Sequence, residues 1–175
     1  LCDDMGLGKT FQALAFCSWL RELMVAGRIE RKPLLLVAPV GLLRNWEKEH
    51  EEHLWSPGLG DIVRVYGEHV KHLKRGRHSD GTASLDTTRI SQADVVLANY
   101  EAVSDYQLSF GAIRFATVVL DKAFDKADAE FTAMAMNIFT SFGFQMVVAT
   151  PLKSVMTLEP FIGGACYVHN SERKH

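Results

Sequence analysis

The stretch Asp3-Asp4-Met5-Gly6-Leu7-Gly8-Lys9-Thr10 decides how the rest of the chain is read. Its glycines let backbone N–H groups turn inward around phosphate oxygens. A helix follows at once: between Thr10 and Met24, Phe11, Leu14, Ala15, Leu20, Leu23 and Met24 recur near helical spacing, and Gly27 supplies a stop. The positive end of that helix favours an anion. Asp4, Met5, Gly6, Leu7 and Gly8 would line the phosphates, Lys9 would reach the β- and γ-phosphates, and the Thr10 hydroxyl would hold Mg²⁺. The full GxxxxGK[ST] pattern has glycine where this chain has Asp3. Such a loop ordinarily follows a strand. Here the chain opens at Leu1, and it reads as a fragment or a product missing its start.

Downstream, short apolar runs alternate with amphipathic stretches. Leu34 to Ala38, stopped by Pro39, reads as a buried strand, as do Val95 to Ala98 and Val118 to Asp121. Gln145 to Thr150, stopped by Pro151, reads as another. Ile62 to Tyr66 alternates as a strand, and Ala165 to His169 offers a last one. Gly41 to Glu52 reads as a helix with Leu42, Leu43 and Trp46 inward, and Asp128 to Phe142 as a second with Phe131, Met134, Ala135, Ile138, Phe139 and Phe142 on one side. The polar, basic stretch from His69 to Thr88, with Gly76 and Gly81, reads as a long exposed loop or loose helix. Strands alternating with helices imply a parallel sheet covered on both faces, with ligands at the carboxyl ends of its strands. Pro39, Asn99, Asp121 and Thr150 fall there.

Composition narrows the class. At 175 residues the chain suits one domain. Apolar residues at 47% and charged residues at 23% exclude a disordered chain, a collagen and a simple coiled coil. No apolar run approaches the roughly 18 residues of a membrane-crossing helix. A net charge of −2 does not point to a strongly basic nucleic-acid binder, though it leaves room for a local basic patch. Cys2, Cys17 and Cys166 are odd in number and form no CxxC pair, which fits a reducing, intracellular setting, cytoplasmic or nucleoid-associated.

The stretch DDMGLGKT resembles motif I of the Swi/Snf-type ATPases of helicase superfamily 2. Leu34-Leu35-Leu36-Val37-Ala38-Pro39 followed by Leu43-Arg44-Asn45-Trp46-Glu47-Lys48-Glu49 is similar to motif Ia and its helix. Ala93-Asp94-Val95-Val96-Leu97-Ala98-Asn99-Tyr100-Glu101 is similar to the next motif, where TTYE is usual, and Val118-Val119-Leu120-Asp121 to the motif II strand. The resemblance covers Leu1 to about Asp121. It implies a RecA-like P-loop NTPase fold: α/β, a three-layer parallel sheet with helices on both faces. It also implies ATP and Mg²⁺ as cofactors, with Thr10 and Asp121 on the metal, and duplex DNA as partner, with Pro39, Arg44, Asn99 and Tyr100 toward the DNA-facing side. The alternative for two of these is plain: Pro39 ends a strand and Tyr100 packs. A complete motor of this family also needs a second lobe, for which the chain has no counterpart.

Motif II departs from the family. Asp-Glu is expected, and Asp121-Lys122-Ala123-Phe124 stands there. The glutamate would position the attacking water; a protonated lysine accepts no proton and sets a positive charge beside the metal. Hydrolysis is therefore expected to be impaired while nucleotide binding survives, unless another acid such as Asp125 substitutes. From Leu120 to Asp128 the spacing also resembles the Walker B and D-loop of ABC-type and SMC-like ATPases, as does the end of the chain. The expectation is thus a single truncated lobe over 1–175, Swi/Snf-like over 1–121, with 122–175 as an SMC-like tail of a chimera. Two readings compete with the motor lobe: an SMC-like or ABC-type head, against which no SGG-type signature precedes Asp121, and a non-catalytic nucleotide-binding domain, which Lys122 supports.

Other clusters carry less. His50-Glu51-Glu52-His53 spaces its histidines i, i+3 rather than the i, i+4 of HExxH, and reads as a solvated helix end. His69, His72 and His78 among Lys71, Lys74, Arg75 and Arg77 form a basic stretch able to touch a DNA backbone, or a solvated loop. Trp19, Trp46 and Trp55 read as core residues.

Overall fold

The computed structural model describes residues 8–121, 136–143, 145–149 and 163. The elements are α1 (Lys9–Val25), β1 (Leu34–Val37), α2 (Val40–His53), β2 (Ile62–Val65), a 3₁₀ turn (Gly67–His69), α3 (Val70–Leu73), β3 (Lys74–Arg77), β4 (Ala83–Leu85), α4 (Thr87–Gln92), β5 (Val95–Ala98), α5 (Tyr100–Asp105), α6 (Gln107–Gly111), β6 (Thr117–Asp121) and β7 (Met146–Ala149). A helical segment also runs over 136–141.

Five strands form one sheet in the order β2-β5-β1-β6-β7, every neighbouring pair parallel. The expected α/β architecture is the observed one. The runs LLLV and VVLA are apolar at every position because both of their faces are covered. Alternate residues go to opposite sides. Leu34 and Leu36, Val95 and Leu97, and Val119 pack with Ala13, Leu14 and Cys17 of α1 and Leu43 and Trp46 of α2. Leu35 and Val37, Val96 and Ala98, and Val118 and Leu120 pack with Val70, Leu73, Ile90, Val103, Phe110, Met136 and Phe139. Three layers result, and each fully buried Leu or Val contributes about 1.5–3 kcal/mol. Burial pushes the Cys17 thiol up to about 12, so it behaves as a small apolar side chain.

Most expected boundaries hold within two residues. The chain from 69 to 88 does not. The expected loop is built from a 3₁₀ turn, α3, an antiparallel hairpin of β3 and β4, and the start of α4. Its polar surface hides three apolar anchors, Val70, Leu73 and Leu85, set into the core at irregular intervals. Ser109, fully buried on α6, closes this region: its Oγ accepts the Leu85 amide at 3.0 Å and lies 3.1 Å from His78 Nε2. Two of the three tryptophans also depart from expectation. Trp46 is buried, but Trp19 faces outward on α1, and Trp55, in the turn after α2, is 94% exposed. The expected helix from 128 lies outside the described residues until 136, and the expected strand at 165–169 lies outside them entirely.

At the amino edge of the sheet Asp94 ties three segments together. Its Oδ2 accepts the Asp61 amide at 2.9 Å, its Oδ1 accepts Arg31 at 3.0 Å, and Arg21 of α1 stands 4.0 Å from it. This junction leaves no room at Gly60, whose φ is +81° and whose missing Cβ would fall 2.2 Å from Asp94 Oδ2. Gly81 has a similar φ of +86° but open space around it. Gly81→Ala is therefore expected to lose only the backbone term, about 1–2 kcal/mol. Gly60→Ala adds overpacking and is expected to lose about 2–4 kcal/mol in urea unfolding. Equal losses for the two would show that the Asp94 junction tolerates the methyl group.

Candidate functional site

The registers bring one set of strand ends into line. Val65 pairs with Ala98, Ala98 with Val37, and Val37 with Leu120. Asp121 lies one residue past that row, opposite Ala149. The segments that follow, at Pro39 and Asn99, leave from the same edge. This is where an open parallel sheet presents ligand-binding groups.

Asp121 is 6% exposed, and it shares its side of β6 with Val119, the side covered by α1 and α2. The Trp46 indole Nε1–H donates to its Oδ2 at 2.8 Å. Pro39, with φ −55°, caps α2, and its carbonyl accepts the amides of Leu42 (2.8 Å) and Leu43 (3.2 Å). The helix thereby starts at the strand end, and Leu43 and Trp46, three residues apart, both turn to the sheet. From the other face, the Tyr100 hydroxyl donates to the main-chain oxygens of Asp121 (3.1 Å) and Val37 (3.4 Å). Burial, and then the negative charge of Asp121, pushes the Tyr100 phenol well above the ordinary tyrosine range.

The other residues expected at the site fall as follows. Gly8 has φ +70°, a left-handed conformation suited to glycine, and caps α1; Lys9 and Thr10 are its first two residues. Asp4, Met5, Gly6 and Leu7 lie outside the described residues, as do Lys122, Asp125 and Thr150. Phe11 packs edge-on against His53, ring centroids 5.3 Å apart. His53 is seven residues beyond Trp46 on α2, roughly 10 Å along the axis. Among the described residues, no hydrogen bond joins Thr10 to Asp121. Pro39 and Arg44 are exposed. Asn99 is occupied as a cap: its side chain accepts the Ala102 amide at 3.3 Å and its amide donates to Glu101. The structure thus joins Asp121 with Tyr100, and adds Trp46, which periodicity marks only as core. Its single N–H donor is the signal that a buried indole needs a partner.

The His50–His53 pair is structural. His50 Nε2 accepts the Leu59 amide at 3.0 Å, and no group of metal-ligating side chains occurs among the described residues. The basic stretch is largely exposed. Arg75 pairs with Asp86 at 2.6 Å, Lys71 pairs with Glu68, and Arg77 donates to the Gly81 carbonyl at 2.6 Å.

Comparison with known families matches an SNF2-related domain over residues 1–158. The chain belongs to that family. The match extends past Asp121 and Lys122 to residue 158, and so lends no support to an SMC-like tail joined there. Zorya protein ZorD of Escherichia coli O139:H28 is 33% identical over 132 residues, 70% of this chain. The CHD3-type chromatin-remodeling factor CHR7 of Arabidopsis thaliana is 28% identical over 163 residues, 88% of the chain. The putative ATP-dependent helicase/translocase YwqA of Bacillus subtilis is 32% identical over 123 residues, 70% of the chain. This chain spans 12% of the length of each. No described helix is long and apolar enough to cross a membrane.

The Tyr100 phenol gives this site a pH signature. Its folded-state pKa is raised, so the stability it contributes is complete below the unfolded value near 10 and is lost as pH climbs past it. Tyr100→Phe is expected to be about 1 kcal/mol less stable than the parent at pH 8. The gap should narrow on going to pH 11 in urea titrations. A gap independent of pH would mean that Tyr100 ionises freely in the folded chain.

Proposed function

We propose that this chain is the ATP-binding first lobe of a Swi/Snf-type DNA-dependent ATPase, impaired in hydrolysis at Lys122. The observation that carries the reading is the place of Asp121: a buried carboxylate at the carboxyl end of a central strand, on the face that α1 covers. Membership of the SNF2-related family and the names of relatives such as YwqA support it.

The donor set fits a divalent cation. A carboxylate offers about four acceptor sites, and among the described residues only the Trp46 indole takes one on the Asp121 side chain. Gly8 at φ +70° and the first turn of α1 fit an anion at the helix start. When bound, Mg²⁺ would neutralise phosphate charge, with Asp121 as a protein ligand; the family resemblance adds Thr10, whose neighbour Phe11 packs here against His53 at the far end of α2 rather than beside Asp121. Gly8 and Lys9 would bind phosphate oxygens. Lys122 stands where the family places the glutamate that orients water, and a protonated ammonium cannot accept the proton of that water. Duplex DNA is the proposed partner, met at the carboxyl edge by Pro39 and Arg44, with Asn99 and Tyr100 shaping that edge from beneath. The exposed basic residues from Lys71 to Arg77 would add salt-dependent contacts to a DNA backbone. A non-hydrolysing nucleotide-binding role is the second reading, favoured by Lys122 itself.

Lys9→Ala is expected to abolish ATP binding in a fluorescence or calorimetric titration; undiminished affinity overturns the nucleotide assignment. ATP turnover with and without duplex DNA, measured on this chain and on Lys122→Glu, tests the rest. Restored, DNA-stimulated turnover in Lys122→Glu is the expected result, by a factor of about 10² or more. Turnover equal in both forms removes Lys122 as the cause of impairment.

A further inference from the structure

We propose that Trp46 is a positioning residue for Asp121, fixing which carboxylate oxygen remains for a bound divalent cation. The inference rests on the reading of Asp121 as the metal carboxylate. Trp46 is 3% exposed, and its Nε1–H meets Oδ2 at 2.8 Å, leaving Oδ1 with no donor among the described residues.

The chemistry of the donor is specific. An indole N–H is neutral, has no acceptor, and does not ligate a metal. An Arg or Lys in its place would bind the same oxygen but cancel the charge that a cation needs. The indole is also held firmly. It belongs to one buried cluster with Leu14, Leu36, Leu59 and Leu97, and Leu43 seats the preceding turn of α2. The Asp121 main chain is fixed separately, by the Tyr100 hydroxyl at 3.1 Å from the opposite layer. With backbone and one carboxylate oxygen both restrained, the remaining oxygen has one direction. A purely packing role for Trp46 requires none of this, because Phe fills nearly the same space without a donor.

The test uses the whole chain, ¹⁵N-labelled, with ADP and Mn²⁺. Its three tryptophans give three indole N–H resonances, and Trp46→Phe identifies one of them. Mn²⁺ is expected to broaden the Trp46 resonance at lower concentrations than those of exposed Trp19 and Trp55. Trp46→Phe is expected to weaken Mn²⁺ binding by about 10–100-fold, read from free Mn²⁺ by electron paramagnetic resonance. Metal-free ADP affinity should stay unchanged, and the variant should still melt cooperatively, at a lower temperature because a buried acceptor loses its donor. Uniform broadening, or unaltered Mn²⁺ affinity in folded Trp46→Phe, overturns the proposal while leaving nucleotide binding intact. If the variant does not fold, the broadening pattern in the parent chain decides alone. Absence of any Lys9-dependent ADP binding overturns the functional reading, and this inference with it.

Discussion

Burial on both faces is the constraint from which the structure follows. Leu34 to Val37 and Val95 to Ala98 are in the middle of a parallel sheet, so neither has a side that water can reach. Such strands cannot stand alone. They need a helical layer above and another below, and the alternation of side chains assigns half of every strand to each. The upper layer receives α1 and α2, the lower α3 to α6 and the segment at 136–141. Once the strands are in register, their ends are in register too. A polar residue placed just past an end is then delivered to a common edge. Asp121 owes its position to the apolar run Val118–Leu120 that precedes it and sets the register of the strand.

The junctions at the two edges differ in kind. At the amino edge a charged residue, Asp94, gathers a backbone amide and arginines in a partly exposed setting, where each ion pair is worth little but the amide bond and steric fit around Gly60 are stringent. On the α2 side, Glu47 is shared by Arg64 of β2 and the Tyr66 hydroxyl, the latter at 3.0 Å, pinning the helix to the edge strand. At the carboxyl edge the donors are a phenol and an indole, both neutral. Charged partners thus fasten the partly exposed junctions, while the buried Asp121 is held by neutral donors.

Much of this was legible in the residues. Unbroken apolar runs mark β1, β5 and β6, and helical spacing marks α1 and α2, because long or fully buried elements leave a strong periodic trace. The short elements leave none. The hairpin of β3 and β4 is held by contacts remote in sequence, Asp86 N to Leu73 O at 2.7 Å and Leu85 N to Ser109 Oγ at 3.0 Å, and periodicity over three or four residues carries no information about either. The helices α4 and α5 do carry a trace in their first residues: Asp86 caps the amide of Arg89, and Asn99 that of Ala102. Reading Asp-x-x and Asn-x-x as helix starts recovers both. For the candidate site, resemblance names Asp121 as the metal-side acid but Tyr100 only as DNA-facing, and neither it nor periodicity marks Trp46 as a donor, since an indole that packs and an indole that donates look alike until the acceptor is in place.

Tyr100 and Trp46 grip one residue from opposite layers of the sheet, the first by its backbone and the second by its side chain. The two layers lie on opposite faces of the sheet, yet both hold Asp121, α2 through its carboxylate and α5 through its peptide. One position thereby knots together segments 75 and 21 residues away in the chain.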